Sequence, residues 1–482
     1  MVGEGAPVAH IDVLTGRPIG TVDRRIFGSV TEHLGRCVDG GVFEEGSPGA
    51  FRADVLAAVR DLGVTNVRWP LGAAPGAEEP GRFGTGEFLR WCAIAAIEPV
   101  LGFNMDTGTV DDALAWLEYC NGSSDSHWAR RRQADGHAQP FGVRYWGLGR
   151  QMHRRRTAAE YVTEASRWAS ALKRLDPGIR LISSGRTGMD DWDRDVIDGL
   201  APHIDMHGIR LYTGSADYWS NLLAPHYAER ALSVAGALID RARYLQHVEH
   251  EISVACDEWN VWYRAEDGRL EERYSLADAL AVATWLNVFV RQSWTVRMAN
   301  QARLVNALAP IVTSVDGLFS QAIYHPFQLM AAASEQVAVD TYTDSGAHIH
   351  HDRAGDRWPH RVGDLGLFQR LDVAATTDPG RSRLTLSVVN RDPRRSIRTR
   401  IRLLDASATG VMGVHEVTGD SPGTVNSFTR PDAVSVRNAK REVDGEHVDI
   451  AFSPHSFTVL EMQLALPRTA TRAAPPRPRA GW

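Results

Sequence analysis

Lysine is almost missing from this chain: of its 53 basic side chains, only Lys173 and Lys440 are lysines and the rest are arginines. A GC-rich genome produces such a bias without any functional cause. An excess of one charge is also missing. The formal net charge is -6, which gives no global field to hold nucleic acid or an anionic membrane surface. Cysteine is scarce, and the four present (Cys37, Cys92, Cys120, Cys256) show no CxxC spacing, which excludes the usual zinc and dithiol motifs. Free, buried thiols in a reducing cytoplasm are the expectation. No run approaches the ~20 apolar residues of a membrane span, and the first residues carry no basic segment followed by an apolar one, so neither membrane insertion nor export is expected. Neither a histidine spacing nor a glycine-rich phosphate loop appears in the context that a metal or nucleotide site needs, and no metal or organic cofactor is expected.

The chain's 482 residues exceed what one hydrophobic core usually organises. From about Ile26 to Phe327, short β-branched runs alternate with amphipathic stretches, the pattern of repeated βα units. Strands are predicted at Ile26 to Thr31, Thr65 to Trp69, Pro99 to Phe103, Val143 to Leu148, Ile179 to Ser183, Ile204 to Leu211 and Ile252 to Cys256, with an eighth near Leu318 to Tyr324. Eight such units predict an α/β fold, a closed (β/α)8 TIM barrel, over residues 26–330. Beyond it, short alternating strands such as Arg383 to Asn390, Val448 to Phe452 and Ser456 to Leu464 predict a C-terminal, jelly-roll-like β-sandwich over 331–466. Residues 1–25 are expected to pack on that sandwich. Residues 467–482, rich in Pro, Arg and Ala, are expected to be disordered.

One motif carries chemistry. Cys256-Asp257-Glu258-Trp259-Asn260-Val261-Trp262-Tyr263 sets a carboxylate among aromatic rings at the end of the seventh predicted strand. Together with Glu32-His33-Leu34-Gly35-Arg36, Asn66-Val67-Arg68-Trp69-Pro70, Tyr145-Trp146-Gly147-Leu148-Gly149, Met298-Ala299-Asn300 and Tyr324-His325-Pro326-Phe327, it resembles glycoside hydrolase family 51, the α-L-arabinofuranosidase-like enzymes. The resemblance is spread along most of the chain. It implies a barrel whose acid/base follows strand four and whose nucleophile follows strand seven, a sugar or glycoside as the partner, and a homo-oligomer. On this resemblance Glu258 matches the nucleophile, and Glu32, Arg68, Tyr212 and Gln321 match residues lining the sugar pocket.

The departures lie in the same places. Gln151 stands at the acid/base position, Arg150 replaces the Asn before it, and Arg210 replaces a His two residues before the pocket Tyr212. The substrate loop after Pro70 shrinks to Leu71-Gly72-Ala73-Ala74-Pro75. Retaining hydrolysis needs a carboxylate to attack the anomeric carbon and a second group to protonate the leaving oxygen. Glutamine transfers no proton, and losing general acid-base help typically costs about 10²–10⁴ in rate. Three readings follow. The chain is a divergent glycosidase or transglycosidase acting through Glu258 on a furanoside-like substrate with an activated or anionic leaving group; or a sugar-binding pseudo-glycosidase; or an arabinofuranosidase whose acid is relocated, with Glu78, Glu79, Asp106 and His153 as candidates. Arg150, Arg210 and Arg303 suggest a ligand carrying phosphate or carboxylate, because guanidinium groups bind such anions with paired hydrogen bonds. The alternative is that they pair with local Asp or Glu.

Overall fold

The structure is a computed structural model and describes residues 9–44, 51–69, 83–123, 125–263, 270–351 and 362–466. Its first strand, β1 (Ala9–Thr21), stays outside the barrel. Eight parallel strands then close on themselves: β2 (Gly28–Val30), β3 (Asn66–Trp69), β4 (Glu98–Phe103), β5 (Tyr145–Leu148), β6 (Arg180–Ser184), β7 (Met206–Thr213), β8 (Ser253–Val261) and β9 (Val296–Ala302). Parallel neighbours cannot be joined by tight hairpins, so helices cross back over the outside. Capping begins several of them, as at Thr157 and Ser275, whose hydroxyls accept from the backbone N–H three residues on.

The inner and outer faces of the strands separate by alternation. Val100, Tyr145, Ile182, Met206, Ala255 and Met298 form an apolar plug inside the barrel, distinct from the larger core between strands and helices. One inward step further along their strands come Gly147 and Gly208. A Cβ at Gly147 would stand 3.9 Å from Nη2 of Arg68, and one at Gly208 would stand 3.0 Å from Oδ2 of Asp257. The missing side chains leave room inside the barrel for charged ones.

Two corrections to the sequence reading concern strands. The eighth barrel strand is β9. The stretch predicted near Leu318 to Tyr324 instead forms half of a hairpin, Ile311–Ser314 with Gly317–Ser320, and then enters the helix Tyr324–Ala333. Strand β9 carries Arg297, Asn300 and Gln301, because part of it faces polar partners; Asn300 Oδ1 accepts from Nδ2 of Asn66 at 2.6 Å. A strand with a polar inner lining lacks the continuous apolar run that marks a buried parallel strand. The seventh strand, predicted to stop at Cys256, runs on to Val261, and Glu258 lies within it.

The β-rich C-terminal domain is built on one nine-stranded hydrogen-bonded sheet around its own apolar core, and the strands Ala347–Ile349 and Leu367–Gln369 pair separately as a two-stranded sheet. Strand β1 belongs to the nine-stranded sheet, antiparallel to Val337–Asp344 and parallel to Ile397–Leu403. A buried charge network joins this domain to the barrel. Arg291, on the helix Leu276–Arg291, contacts Glu229 at 2.7 Å and Asp372 at 3.1 Å, and Arg391 reaches Asp372 at 3.0 Å. Among the described residues no helix is long and apolar enough to cross a membrane.

Candidate active site

The site is assembled by a register change in β8. Its pairing with β7 jumps from Ile209–Cys256 to Arg210–Glu258, so Asp257 is the extra residue of a β-bulge. Bulges bend a strand and re-aim its side chains. Here both Asp257 and Glu258 meet the same interior guanidinium. Arg68 contacts Asp257 Oδ2 and Glu258 Oε1, each at 3.3 Å.

Glu258 is 1% exposed and surrounded. Its Oε1 faces Arg68, Arg150 (3.2 Å from Nη2) and Arg210 (3.6 Å from Nη2). Its Oε2 accepts from the Tyr212 hydroxyl at 2.9 Å and faces Nη1 of Arg303 at 3.9 Å. Arg303 also donates to Tyr212 at 3.1 Å and closes tightly on Glu32, whose second oxygen lies 3.5 Å from Arg150. Burial alone would raise the pKa of Glu258, but the charges of Arg210, Arg303, Arg150 and Arg68 outweigh it and hold the carboxyl well below the usual carboxylate range. Burial pushes the Tyr212 phenol up, and the Glu258 charge adds to that, so it stays a protonated donor. Burial lowers Arg210, only partly opposed by Glu258.

Of the residues singled out in the sequence, Glu32, Arg68, Arg150, Arg210, Tyr212 and Glu258 come together in this cluster, with Arg303. The three arginines do pair with local carboxylates. Gln321 makes no hydrogen bond to that cluster among the described residues: its Oε1 accepts from the Tyr274 N–H, and its Nε2 donates to the carbonyls of Glu272 and Ala309. Its amide ties backbone segments together. Gln151 follows the fourth barrel strand in a left-handed conformation (φ 51°), and its side chain makes no hydrogen bond among the described residues.

The alternative acids fare unevenly. Asp106 is salt-bridged to Arg155 at 3.0 Å. Burial lowers the pKa of His153, and Arg186, Arg154 and Arg210 lower it further, so the imidazole is neutral near pH 7 and has no proton to spare for a leaving group. Glu78 and Glu79 lie outside the described residues, as does the shortened loop at residues 71–75.

Two contributors were not singled out. Asp257, named above only as part of its motif, shares Arg68 and Arg210 with Glu258. Trp262, 37% exposed, packs edge-on against Tyr212 at 5.4 Å and offers an aromatic face beside the cluster. Its place four residues after Glu258 in an aromatic run was the available signal. Among the described residues no three His, Cys, Asp or Glu side chains gather as a metal site would require.

A parallel eight-stranded barrel with a carboxylate among sugar-pocket-like residues on its seventh strand defines a glycosidase-type barrel. Two family models match, the alpha-L-arabinofuranosidase 1 domain over residues 70–222 and the alpha-L-arabinofuranosidase C-terminal domain over 257–456. The chain is 34% identical over 500 residues to the probable alpha-L-arabinofuranosidase C of Aspergillus clavatus, spanning 93% of this chain and 96% of that one. It is 31% identical over 365 residues to the intracellular exo-alpha-(1->5)-L-arabinofuranosidase 1 of Bacillus subtilis, spanning 64% and 72%. The arabinose complex of the Thermotoga maritima alpha-L-arabinofuranosidase superposes with a TM-score of 0.83 at 32% identity, over 94% of this chain and 100% of that one. The chain belongs to glycoside hydrolase family 51.

Proposed function

We propose that this protein is a divergent family 51 glycosidase that acts through Glu258 on a furanoside whose leaving group departs without a proton from the protein. The observation that carries this reading is the co-occurrence of a buried, ionised Glu258 on the seventh barrel strand and a Gln, Gln151, after the fourth. In the first step one oxygen of Glu258 bonds to the anomeric carbon while the bond from that carbon to phosphate, carboxylate or phenolate breaks, the electron pair leaving with that group. Water or a sugar hydroxyl then displaces Glu258, and its proton passes to solvent or to the departed anion. Such leaving groups are weak bases, so the missing acid costs them little. Arg150 and Arg210 favour a leaving group that carries negative charge.

A second reading, a sugar-binding pseudo-glycosidase, draws support from the engagement of both oxygens of Glu258. A carboxylate of depressed pKa, shared among four guanidiniums, is a weak nucleophile. Intact-mass measurement after incubation with aryl furanosides and furanosyl phosphates separates the two. A sugar-sized adduct mapping to Glu258 is expected. Binding of a donor with no adduct from any would leave the pseudo-glycosidase reading in its place.

A further inference from the structure

We propose that the arginine cluster is a receptor for one small oxyanion, taken up between Arg150 and Arg210, and that its uptake draws Arg150 away from Glu258. This deepens the proposed function by naming the seat of the anion, while its binding half needs no turnover. The first ground is charge. Arg68, Arg150, Arg210 and Arg303 face Glu32, Asp257 and Glu258, so among the described residues the cluster holds one more positive charge than negative. Such a charge is costly until an anion joins it.

The second ground is the slackness of the contacts. Charge-assisted N–H···O bonds usually close to about 2.7–2.9 Å. The three arginines around Oε1 of Glu258 stand at 3.2, 3.3 and 3.6 Å. They crowd one oxygen and none closes on it. Arg303, by contrast, closes fully on Glu32. Acceptors are therefore short on the Arg150–Arg210 side, where Nη1 of Arg210 is buried with no hydrogen-bond partner among the described residues. Arg150 is the member free to move, with 21% of its side chain exposed against 10% for Arg210 and 1% for Arg68.

The chemistry of the occupant follows from a second idle atom. Oδ1 of Asp257 is a buried acceptor without a donor among the described residues. An oxyanion that also bears a hydroxyl supplies acceptors to Arg210 and Arg150 and a donor to Asp257. Hydrogen phosphate fits, and so does a phosphate monoester in its singly protonated form, whose second pKa is about 6; chloride does not. Phosphate can arrive free or as part of a furanose substrate.

Isothermal titration of the full chain with inorganic phosphate and with ribose 5-phosphate tests this. Saturable one-site binding is expected, weakened at least about tenfold by Arg150→Gln or Arg210→Gln, the loss of roughly 1.4 kcal/mol. Arg155→Gln, on an exposed side chain paired with Asp106, should leave it unchanged. Glu258→Gln should tighten it, because the internal competitor for the guanidiniums is gone. Equal affinity for the two ligands would assign the seat to free phosphate, and clearly tighter ribose 5-phosphate would assign it to the substrate. Failure of both ligands to bind either wild type or Glu258→Gln overturns the proposal, as does binding that survives both arginine variants. If Arg210→Gln does not fold, the more exposed Arg150 carries the test. Phosphate binding without any adduct on Glu258 would remove the enzymatic reading and leave the receptor standing.

Discussion

On the proposed function, Glu258 as nucleophile and Gln151 in place of the acid would set an unusual pH response. A paired family 51 site loses activity in acid as its nucleophile protonates and in base as its acid ionises. Here Gln151 does not titrate, and the guanidiniums keep Glu258 ionised below the ordinary carboxylate range. The rate on an aryl furanoside should therefore stay flat from about pH 5 to 8, and Gln151→Glu should introduce a basic limb; kcat/KM measured across pH checks both. A bell-shaped wild-type profile would mean that another acid serves the site. Stability follows the same sign. With a folded pKa below the unfolded value of about 4.3, Glu258 stabilises the fold above that pH, and the contribution drains away as pH falls toward the folded value. At this scale much could be read from sequence. Glu258, Arg68 and Tyr212 stand in motifs, and Arg150 and Arg210 announced themselves as departures from a pattern. What could not be read was who touches whom. That Gln321 spends its amide on backbone, and that Arg210 leaves one nitrogen without a partner among the described residues, depends on folded geometry.

Strands carry the site through their register. The bulge at Asp257 is a property of pairing between β7 and β8, which no local composition announces, and it decides that two successive carboxylates share Arg68. Gly208 is its counterpart on β7. An added methyl would meet the Ser183 carbonyl at 2.6 Å and Asp257 Oδ2 at 3.0 Å. Gly208→Ala should thus cost about 1–3 kcal/mol, typical of overpacking, and displace Asp257; the midpoint of denaturant unfolding reads the first effect and activity the second. Seven barrel strands were legible because strands covered on both faces read as apolar runs. β9 was not, because the polar lining of its inner face, with Asn300 against Asn66, breaks such a run.

Across the whole molecule, the barrel and the β-rich domain are held by buried ions. Arg391 and Asp372 are nearly inaccessible, and Arg291 spans from Asp372 to Glu229. Removing one partner of such a set strands a charge, which typically costs about 3–5 kcal/mol. Arg391→Ala should loosen the junction enough for calorimetry to resolve two melting transitions where the wild type shows one. The junction is not the only tie. Strand β1 lies between strands that the chain reaches only at Val337–Asp344 and Ile397–Leu403. During synthesis, at about 5–20 residues per second, roughly 20–80 s separate the emergence of β1 from that of its second neighbour. Through that interval a strand with both edges open trails behind a barrel that is already forming. A nascent chain stalled before residue 337 would expose it to any holdase within reach, and the same strand explains why a cut after the barrel would leave the C-terminal sheet with a gap in its middle.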